Sequence, residues 1–384
     1  MGTSNSIDDL IPSLVTFRRD IHQHPELAYK EYRTAEKVAE ALRALGLDVT
    51  TDIGGTGIVA TLTKGDGKKT LGLRADMDAL PIQENTGLPY ASCHDGVFHG
   101  CGHDGHTAML LGAAQQLTRA GNFNGTVRFI FQPAEEGKAG ARAMIKDGLF
   151  ERFPCDRVYA LHNWPDLPAG TIATRPGPIM AAADKFEITV SGKGGHAALP
   201  HQTPDAILTA SELVSQLNTI VARRIPATAT AVVSVTRIEG GHSHNVLPAK
   251  VCITGTVRTF DPKVQNAIEQ SMQQIIEGTA RASGTDIKLE YDRYYPATIN
   301  HQQAAEDALV AASSAGKALE APEAAFTSED FSFMLQACEG AYIWLGQGKP
   351  DKHIPLHHPE FDFNDDVLAT GISLHCALAE QYLR

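Results

Sequence analysis

The sequence predicts an α/β protein with a mostly parallel sheet, interrupted by an inserted ferredoxin-like α+β unit of βαββαβ order. Three observations predict this fold class. Strand-like segments that are nearly all apolar alternate with helical segments in the N-terminal half, which is typical of a parallel sheet covered on both faces. The order then changes to β-α-β-β-α-β near the middle of the chain. Finally, the length of 384 residues suits about two domains.

The N-terminal half supplies most elements of the larger domain. Apolar residues recur at helical spacing over Leu10–Ile21 and Tyr32–Leu45, separated by the loop HQHPE, and Gly46 is placed to end the second helix. A third helix is predicted over His106–Ala120. The short apolar runs that predict strands are Ile58–Leu62, Thr70–Arg74, Thr126–Phe131, Arg157–His162 and Thr171–Thr174.

The ferredoxin-like domain is predicted over residues 185–296. It is bounded by the glycine- and proline-rich stretch RPGPIMAAAD before it and by YYPATINHQ after it. Its strands are expected at Phe186–Ser191, Thr230–Ile238, Val251–Phe260 and Ile287–Tyr291, and its helices at Pro204–Arg223 and Pro262–Ser283. Residues 1–184 and 297–384 are therefore predicted to form one discontinuous domain.

Composition excludes several classes of protein. With 33 Lys and Arg against 45 Asp and Glu, the net charge of −12 disfavours a nucleic-acid partner. No apolar run approaches 18 residues, so we expect no membrane span. The N-terminal segment is acidic and broken by Pro12, which is unlike a signal peptide. Six scattered cysteines fit the reducing cytoplasm.

The densest group of chemically active side chains lies between a predicted strand and the predicted helix at His106. It contains His94, His99, Cys101 and His103 as well as His106. A thiolate and an imidazole two residues apart on a glycine-flanked loop can both reach one divalent cation. Two alternatives remain open at this point. The loop could be polar, with Asp104 capping the helix, or Cys101 could form a nucleophile pair with a histidine.

Three further groups follow predicted strands or lie near the C-terminus. Glu135 and Glu136 follow the strand Thr126–Phe131, His162 ends another strand, and His357 and His358 lie in the segment LHHP. Each alone is a weak signal, since the glutamates are more typical of an exposed acidic loop, His162 of a core or surface histidine, and the LHHP segment also suits an exposed turn. Together they supply a thiolate, imidazoles and carboxylates, which are the groups that a two-metal hydrolytic site needs.

Eight motifs in order carry a resemblance to a known family. They are RRDIHQHPE, LRADMDALPI, HGCGHDGHTAMLLGAA, QPAEE, HNWP, SGKGGHAA, HNVLP and LHHPEFDFND. The chain resembles the metal-dependent amidohydrolases of the aminoacylase and carboxypeptidase clan. Within that clan it is similar to the branch of hippurate hydrolase, N-acyl-amino-acid amidohydrolases and indole-acetyl-amino-acid hydrolases. The matches extend from about Arg18 to Phe363, and the clan's fold is a metallohydrolase domain with an inserted ferredoxin-like domain.

The resemblance implies two divalent metal ions per subunit, which are Mn²⁺, Zn²⁺, Co²⁺ or Ni²⁺. The implied ligands are Cys101, as a bridging thiolate, with His103, Glu136, His162 and His357. Position in the motif favours His357 over His358. Glu135 is implied as the catalytic carboxylate, which takes a proton from the attacking water and delivers it to the leaving amine.

The resemblance also implies roles outside the ligand set. His196 would donate to the oxyanion, often across a dimer, so a homodimer or dimer-based oligomer is expected. Asn245 and Arg258 would bind substrate, with the Arg258 guanidinium as a clamp for a carboxylate. Asp76 would orient a metal ligand. The expected reaction is hydrolysis of an N-acyl amino acid; the alternatives are a peptidase or dipeptidase of the same fold, a Cys101-nucleophile hydrolase and an inactive binding module.

Overall fold

A computed structural model of the chain describes residues 6–348 and 353–384. The chain is divided between two units. The first includes the described residues of Met1–Ile179, Ile299–Glu323 and Asp330–Arg384. The second contains Met180–Thr298 and Ala324–Glu329. The segment 185–296, predicted as the inserted domain, lies inside the longer stretch of the second unit.

The helices of the first unit come from both parts of its chain. They are α1 (Ile11–Gln23), α2 (Tyr32–Ala44), α3 (His103–Ala120), α4 (Glu135–Lys138), α5 (Gly140–Lys146), α6 (Leu149–Arg152), α10 (Gln302–Ala315), α11 (Phe331–Ala337) and α12 (Leu368–Tyr382). Single turns of 3₁₀ helix occur at Ile7–Asp9 and Asp365–Val367.

The strands that form the large sheet of this unit are β1 (Asp48–Ile53), β2 (Gly57–Lys64), β3 (Thr70–Asp76), β4 (Gly125–Gln132), β5 (Arg157–Pro168), β6 (Thr171–Thr174), β15 (Lys317–Glu320) and β16 (Gly340–Gly348). Two short strands, β7 (Gly177–Met180) and β14 (Thr298–Asn300), pair with each other.

The large sheet has the order β1-β2-β4-β3-β5-β16-β6-β15 among the described residues. Its centre, β4-β3-β5-β16, is parallel throughout, and β6 pairs in parallel with β15. The remaining neighbours are antiparallel. The prediction of an α/β fold with a mostly parallel sheet is therefore confirmed. Helix α3 is buried along most of its length in the core beside these strands, which explains the small and apolar residues in its sequence.

The second unit has ferredoxin-like strand order. Its elements are β8 (Ala182–Ser191), β9 (Gly195–His196), α7 (Ala206–Leu217), α8 (Thr219–Arg223), β10 (Ala231–Gly240), β11 (Val246–Leu247), β12 (Lys250–Thr259), α9 (Pro262–Ser283) and β13 (Asp286–Tyr295). The main sheet runs β10-β12-β8-β13 with antiparallel neighbours. Burial alternates along β12, as expected when one face of a sheet is covered by helices.

The structure differs from the predicted elements at β1, at the helix predicted over Pro204–Arg223 and at the start of α3. The strand β1, DVTTDI, is too polar to be found as an apolar run, yet it pairs antiparallel with β2. The predicted helix Pro204–Arg223 is divided at Asn218 into α7 and α8. Helix α3 begins at His103, three residues earlier than predicted, because Gly102 adopts a φ of 91° and turns the chain into the helix.

Within the described residues, no helix is long and apolar enough to cross a membrane. The first five residues, on which the expectation about a signal peptide partly rests, lie outside the described part of the chain.

Candidate metal centre

The parallel register of three central strands brings several sequence-predicted residues to one edge of the large sheet. Asp76, the last residue of β3, is paired with Gln132, the last residue of β4. On the other side of β3, Arg74 is paired with Ala160 of β5, so that His162 lies two residues further along β5. The residues after β4 and the histidine of β5 therefore lie near the carboxyl end of β3, where ligands of α/β sheets bind.

The N-terminal end of α3 adds Cys101 and His103 to the same place. Gly102 lies between them in a left-handed conformation, and a side chain at this position would collide with Asn163. Only a glycine satisfies both conditions. The glycine thus allows the Cys101 thiol and the His103 imidazole to converge.

Among the described residues, three groups of potential metal-ligand atoms each combine at least two of the predicted ligands, with atoms within 4.8 Å of one another. They are Cys101 with His103 and His162, Cys101 with Glu136 and His357, and His103 with Glu135 and Glu136. Cys101 Sγ lies 3.4 Å from His162 Nε2, and His357 Nε2 lies 3.1 Å from Glu136 Oε1. All five predicted ligands and Glu135 are therefore brought together, with Cys101 common to two groups.

His357, and not His358, faces this cluster. The backbone N–H of His357 donates to the carbonyl of Gly100 at 2.7 Å, which holds the residue at a φ of 65°. By contrast, the Nδ1 of His358 accepts a hydrogen bond from the backbone of Glu360. Of the two histidines, His357 is thus the one that shares a group of potential ligand atoms with Cys101 and Glu136.

A carboxylate that the sequence analysis did not select, Asp78, organises the cluster. Its Oδ1 accepts the backbone N–H of Glu135 at 3.0 Å, and its Oδ2 accepts that of Glu136 at 2.9 Å. The same Oδ1 lies 3.3 Å from His103 Nδ1. The left-handed conformation of Ala134, with a φ of 55°, turns the two N–H groups towards Asp78. Its signal in the sequence is the position two residues after Asp76, just beyond the strand.

Asp76 has different partners. Its Oδ1 is 2.6 Å from His106 Nδ1, and its Oδ2 accepts from Arg74 at 2.7 Å. The distance from this Oδ2 to His103 Nε2 is 3.8 Å. The Nδ1 of His106 thus faces Asp76, and its Nε2 faces the backbone N–H and the side-chain Oδ1 of Asn163. Asp76 therefore orients His106, a buried residue beside the cluster, more directly than it orients His103.

The acidic neighbours control protonation at the cluster. Burial, and then the charges of Glu136 and Glu135, raise the pKa of the Cys101 thiol well above its usual range. Burial opposes protonation of His103, but the carboxylates of Asp76 and Asp78 outweigh it and raise the pKa of His103 to about 10. Burial and the neighbouring His106 instead lower the pKa of His162. The charge distribution is that of a cation site with its negative groups in place.

The donor set fits divalent metal ions. His103 Nε2 is buried and has no hydrogen-bond partner within the described residues, although buried polar atoms are normally paired. The second nitrogen of His103 is fixed by Asp78, as is usual for metal-binding imidazoles. A mixed thiolate, imidazole and carboxylate set suits a borderline-soft ion such as Zn²⁺.

The model of the peptidase family M20/M25/M40 matches residues 72–381. The chain belongs to this family. It is 39% identical over 391 residues to a hippurate hydrolase of Campylobacter jejuni, covering 100% of both chains. It is 38% identical over 369 residues to an N-acetylcysteine deacetylase of Bacillus subtilis, covering 95% of this chain and 96% of the relative. These relatives identify this M20 protein as a metal-dependent amide hydrolase.

A solved structure of another protein has the same fold as this chain. It is a Bacillus subtilis protein described as a dinuclear metal binding peptidase from the M20 family. The two chains superpose with a TM-score of 0.86 at 35% identity, covering 98% of this chain and 99% of that one.

The remaining predicted site residues of this M20 protein belong to the second unit. His196 is exposed on β9, where it pairs with Val246 of β11. Asn245 is exposed and accepts a hydrogen bond from Ser243 at 2.6 Å. Arg258 is half-buried on β12, and its guanidinium donates to the hydroxyl of Thr256 and to the carbonyl of Val257. Both of these hydrogen-bond partners are neutral, and the charge of the Asp184 carboxylate also acts on Arg258.

Proposed function

We propose that the protein hydrolyses the amide bond of N-acyl amino acids, of the hippurate or N-acetyl type, to a carboxylic acid and a free amino acid. The observation that carries the proposal is the arrangement around Cys101. Two groups of ligand atoms share this thiol, and Glu135 belongs to a third group that overlaps them. This is the arrangement required for two neighbouring cations with a carboxylate beside them.

In this proposal Cys101, His103, Glu136, His162 and His357 hold two divalent ions. When bound, the ions would act as Lewis acids that polarise the scissile carbonyl. Glu135 would take a proton from the attacking water and transfer it to the leaving amine. Its backbone is held by Asp78, and its Oε1 accepts a hydrogen bond from the backbone N–H of Asp330 at 3.4 Å. These contacts orient the Glu135 carboxylate towards the ligand atoms of His103 and Glu136.

The surroundings of Cys101 argue against a thiol nucleophile. A reactive cysteine needs a positive neighbourhood that lowers its pKa. Cys101 instead has Glu135, Glu136 and Asp76 among its neighbours, and they raise its pKa together with burial. A thiolate bound to cations would escape this penalty, because metals deprotonate coordinating thiols outright.

The substrate assignment depends on relatives and on three residues of the second unit. The names of the two curated relatives point to benzoyl and acetyl amides of amino acids. We propose that Arg258 binds the free carboxylate of the substrate, and that His196 and Asn245 bind its amide group. Because Arg258 is half-buried and its two hydrogen-bond partners are neutral, its guanidinium is suited to a fork-like interaction with a carboxylate.

We also propose that the protein forms a homodimer or a dimer-based oligomer through its second unit. Large apolar side chains of this unit are exposed to solvent, namely Leu199, Ile207, Leu208, Ile238 and Val246. Such side chains are typical of surfaces that are covered in an assembly. Sedimentation velocity tests this proposal: Leu208→Glu should shift the wild-type dimer towards monomer, and a wild-type monomer would contradict it.

We also propose a reducing cytoplasmic location, because Cys101 must stay reduced to bind metal. Cys93, Cys155 and Cys252 are also free thiols.

The decisive experiment is a product-release assay with metal analysis of the same sample. Hippurate, N-acetyl amino acids and unmodified dipeptides should be compared at equal concentration. We expect release of the amino acid from the acyl substrates, with about two metal ions per chain. Preferential cleavage of dipeptides would favour a peptidase, and absence of turnover on every substrate by fully metal-loaded protein would contradict the enzyme proposal. Arg258→Gln should raise KM for hippurate more than for its carboxamide analogue.

A further inference from the structure

The motif RRDIHQHPE contributes no ligand to the metal cluster, yet its first residue is fully buried. Arg18 of α1 has 0% exposure and three carboxylate partners. Its Nη1 lies 3.2 Å from Asp104 Oδ2 and 3.1 Å from Asp362 Oδ1, and its Nε lies 2.8 Å from Asp365 Oδ1. A buried cation with three carboxylates is costly to assemble unless its hydrogen-bond geometry is well satisfied.

The three carboxylates belong to segments that carry predicted metal ligands. Asp104 directly follows His103 at the start of α3, and Asp362 lies five residues after His357. His22, one turn along α1 from Arg18, holds the same Asp104 Oδ2 at 2.9 Å. Tyr90 donates its hydroxyl to Asp362 Oδ2 at 2.8 Å. Arg18 thus joins the two ligand-bearing segments through one guanidinium.

His357 depends on such anchoring more than the other histidines of the cluster. Its side chain is 49% exposed, whereas those of His103 and His162 are buried and fixed by packing. Its positive φ is uncommon for a residue with a side chain, and persists only where the surroundings impose it. The contacts that hold the segment include the hydrogen bond from His357 to Gly100, the buried side chains of Phe361 and Phe363 and, at the far end, the contacts of Arg18.

We propose that Arg18 is a positioning residue that holds the segment of residues 357–365 against α3, and thereby sets the place of His357 in the metal centre. Without the guanidinium, Asp104, Asp362 and Asp365 would face one another with less positive charge between them and would repel. The 357–365 segment would then move away from α3, while His103 and His162 would stay in the core. The inference rests on the proposed two-metal function, because it assumes that His357 is a ligand.

The test is calorimetric titration of metal-free protein with Mn²⁺ for the wild type, Arg18→Gln, Arg18→Lys and Tyr90→Phe. We expect two sites in the wild type. In Arg18→Gln one site should weaken by about 10–100-fold, the range for residues that hold a ligand in place, and the other should change less. Arg18→Lys should recover part of the loss. Tyr90→Phe, which removes one hydroxyl, should weaken the same site by a smaller factor.

Two further variants identify the site and control for general effects. His357→Ala should weaken the same site. Adding Arg18→Gln to His357→Ala should cause little further loss of metal affinity, since both substitutions act on the same contact between His357 and the metal. Arg33→Gln is the matched control, because Arg33 also extends a guanidinium to a carboxylate, with both oxygens of Asp20 at 2.9 Å, but contacts no ligand-bearing segment.

The outcomes separate the two proposals. Fewer than two sites in the wild type would overturn the two-metal function and this inference with it. Two wild-type sites that Arg18→Gln leaves unchanged, or weakens equally, would overturn the positioning role alone. If Arg18→Gln does not fold, as circular dichroism would show, Tyr90→Phe decides, and unchanged affinity in that variant would overturn the role.

Discussion

The carboxylate of Asp78 accepts the backbone N–H of Glu135 at 3.0 Å. The other oxygen of this carboxylate accepts the backbone N–H of Glu136. The oxygen that contacts Glu135 also lies beside Nδ1 of the His103 imidazole. One buried side chain therefore fixes the proposed catalytic carboxylate relative to two proposed metal ligands.

Replacement of Asp78 should damage both metal binding and turnover. Asp78→Asn keeps one acceptor oxygen but replaces the other with a donor, which repels one of the two N–H groups. We expect a loss of about 10–100-fold in metal affinity or turnover, the usual effect of residues that orient ligands. Steady-state kinetics and metal titration measure it. Asp95→Asn, in the loop after the exposed Cys93, is the control, and an equal loss in both variants would contradict the prediction.

Glu135 and Glu136 should respond differently to the same substitution. Glu135→Gln removes a proton acceptor but no proposed ligand, so kcat should fall by about 10²–10⁴-fold or more while two metal ions remain bound. Glu136→Gln should lose metal as well, because its Oε1 lies 3.1 Å from His357 Nε2 in the proposed ligand set. Metal analysis beside kinetics distinguishes the two variants. Near-normal turnover of Glu135→Gln would exclude this residue as the base.

Metal removal should abolish activity and lower thermal stability. Chelated protein retains uncompensated carboxylates beside Cys101, so divalent ions should stabilise the folded state, by about 2.7 kcal/mol when their concentration is 100 times Kd. Thermal unfolding and activity should both recover with Mn²⁺, Zn²⁺, Co²⁺ or Ni²⁺. Ca²⁺, which prefers oxygen ligands only, should restore neither. Full activity of exhaustively stripped protein would refute the metal dependence.

His22 should make stability depend on pH. Burial opposes protonation of its ring, but the carboxylates of Asp104 and Glu84 raise its pKa to about 9, above the ordinary value of about 6.5. The folded state thus binds the His22 proton more tightly than the unfolded state. The resulting stability is fully present below about pH 6.5 and is lost as the pH rises through 9, in total on the order of 3 kcal/mol.

Urea unfolding of the wild type and His22→Gln across this range measures the effect. The difference in the free energy of unfolding between the two proteins should shrink as the pH rises from 6.5 to 9. His24→Gln, two residues along the chain, is the control, since His24 bonds a backbone carbonyl through Nδ1. A difference that stays constant with pH would contradict the assigned pKa.

Much of the fold could be predicted because local patterns and tertiary environment agree. The helix predicted at Pro262–Ser283 has these same bounds in the structure, with Asp261 as its cap and Gly284 after its end, both of which are strong local signals. The strand β1 could not be predicted in this way, since its polar residues are stabilised by pairing with β2 and not by an apolar run of their own.

The candidate site was predictable to a similar extent. Cys101, Glu136 and His162 belong to motifs at the ends of predicted elements, and it is their combination and the family resemblance that predict metal binding. Asp78 was not predicted as a site residue because it lies in a loop. In a loop, unlike in a strand or a helix, the spacing of residues does not show which way a side chain points. The role of Arg18 could not be predicted from the sequence, because its partner Asp362 is 344 residues away along the chain. Local sequence patterns do not show which residues so far apart come into contact.

The sequence by itself determined the α/β class, the family and the set of side chains that supply thiolate, imidazole and carboxylate groups. It could do so because strand and helix periodicity are local properties, and because the motifs occur as short runs. Only the tertiary structure decided which groups meet. The parallel register of β3, β4 and β5 sets the cluster at one sheet edge, and the burial of Asp78 and Arg18 makes their hydrogen bonds specific. The strand register and the burial of these side chains depend on segments that are distant in the sequence. Their geometry is set only when these segments pack together in the folded core.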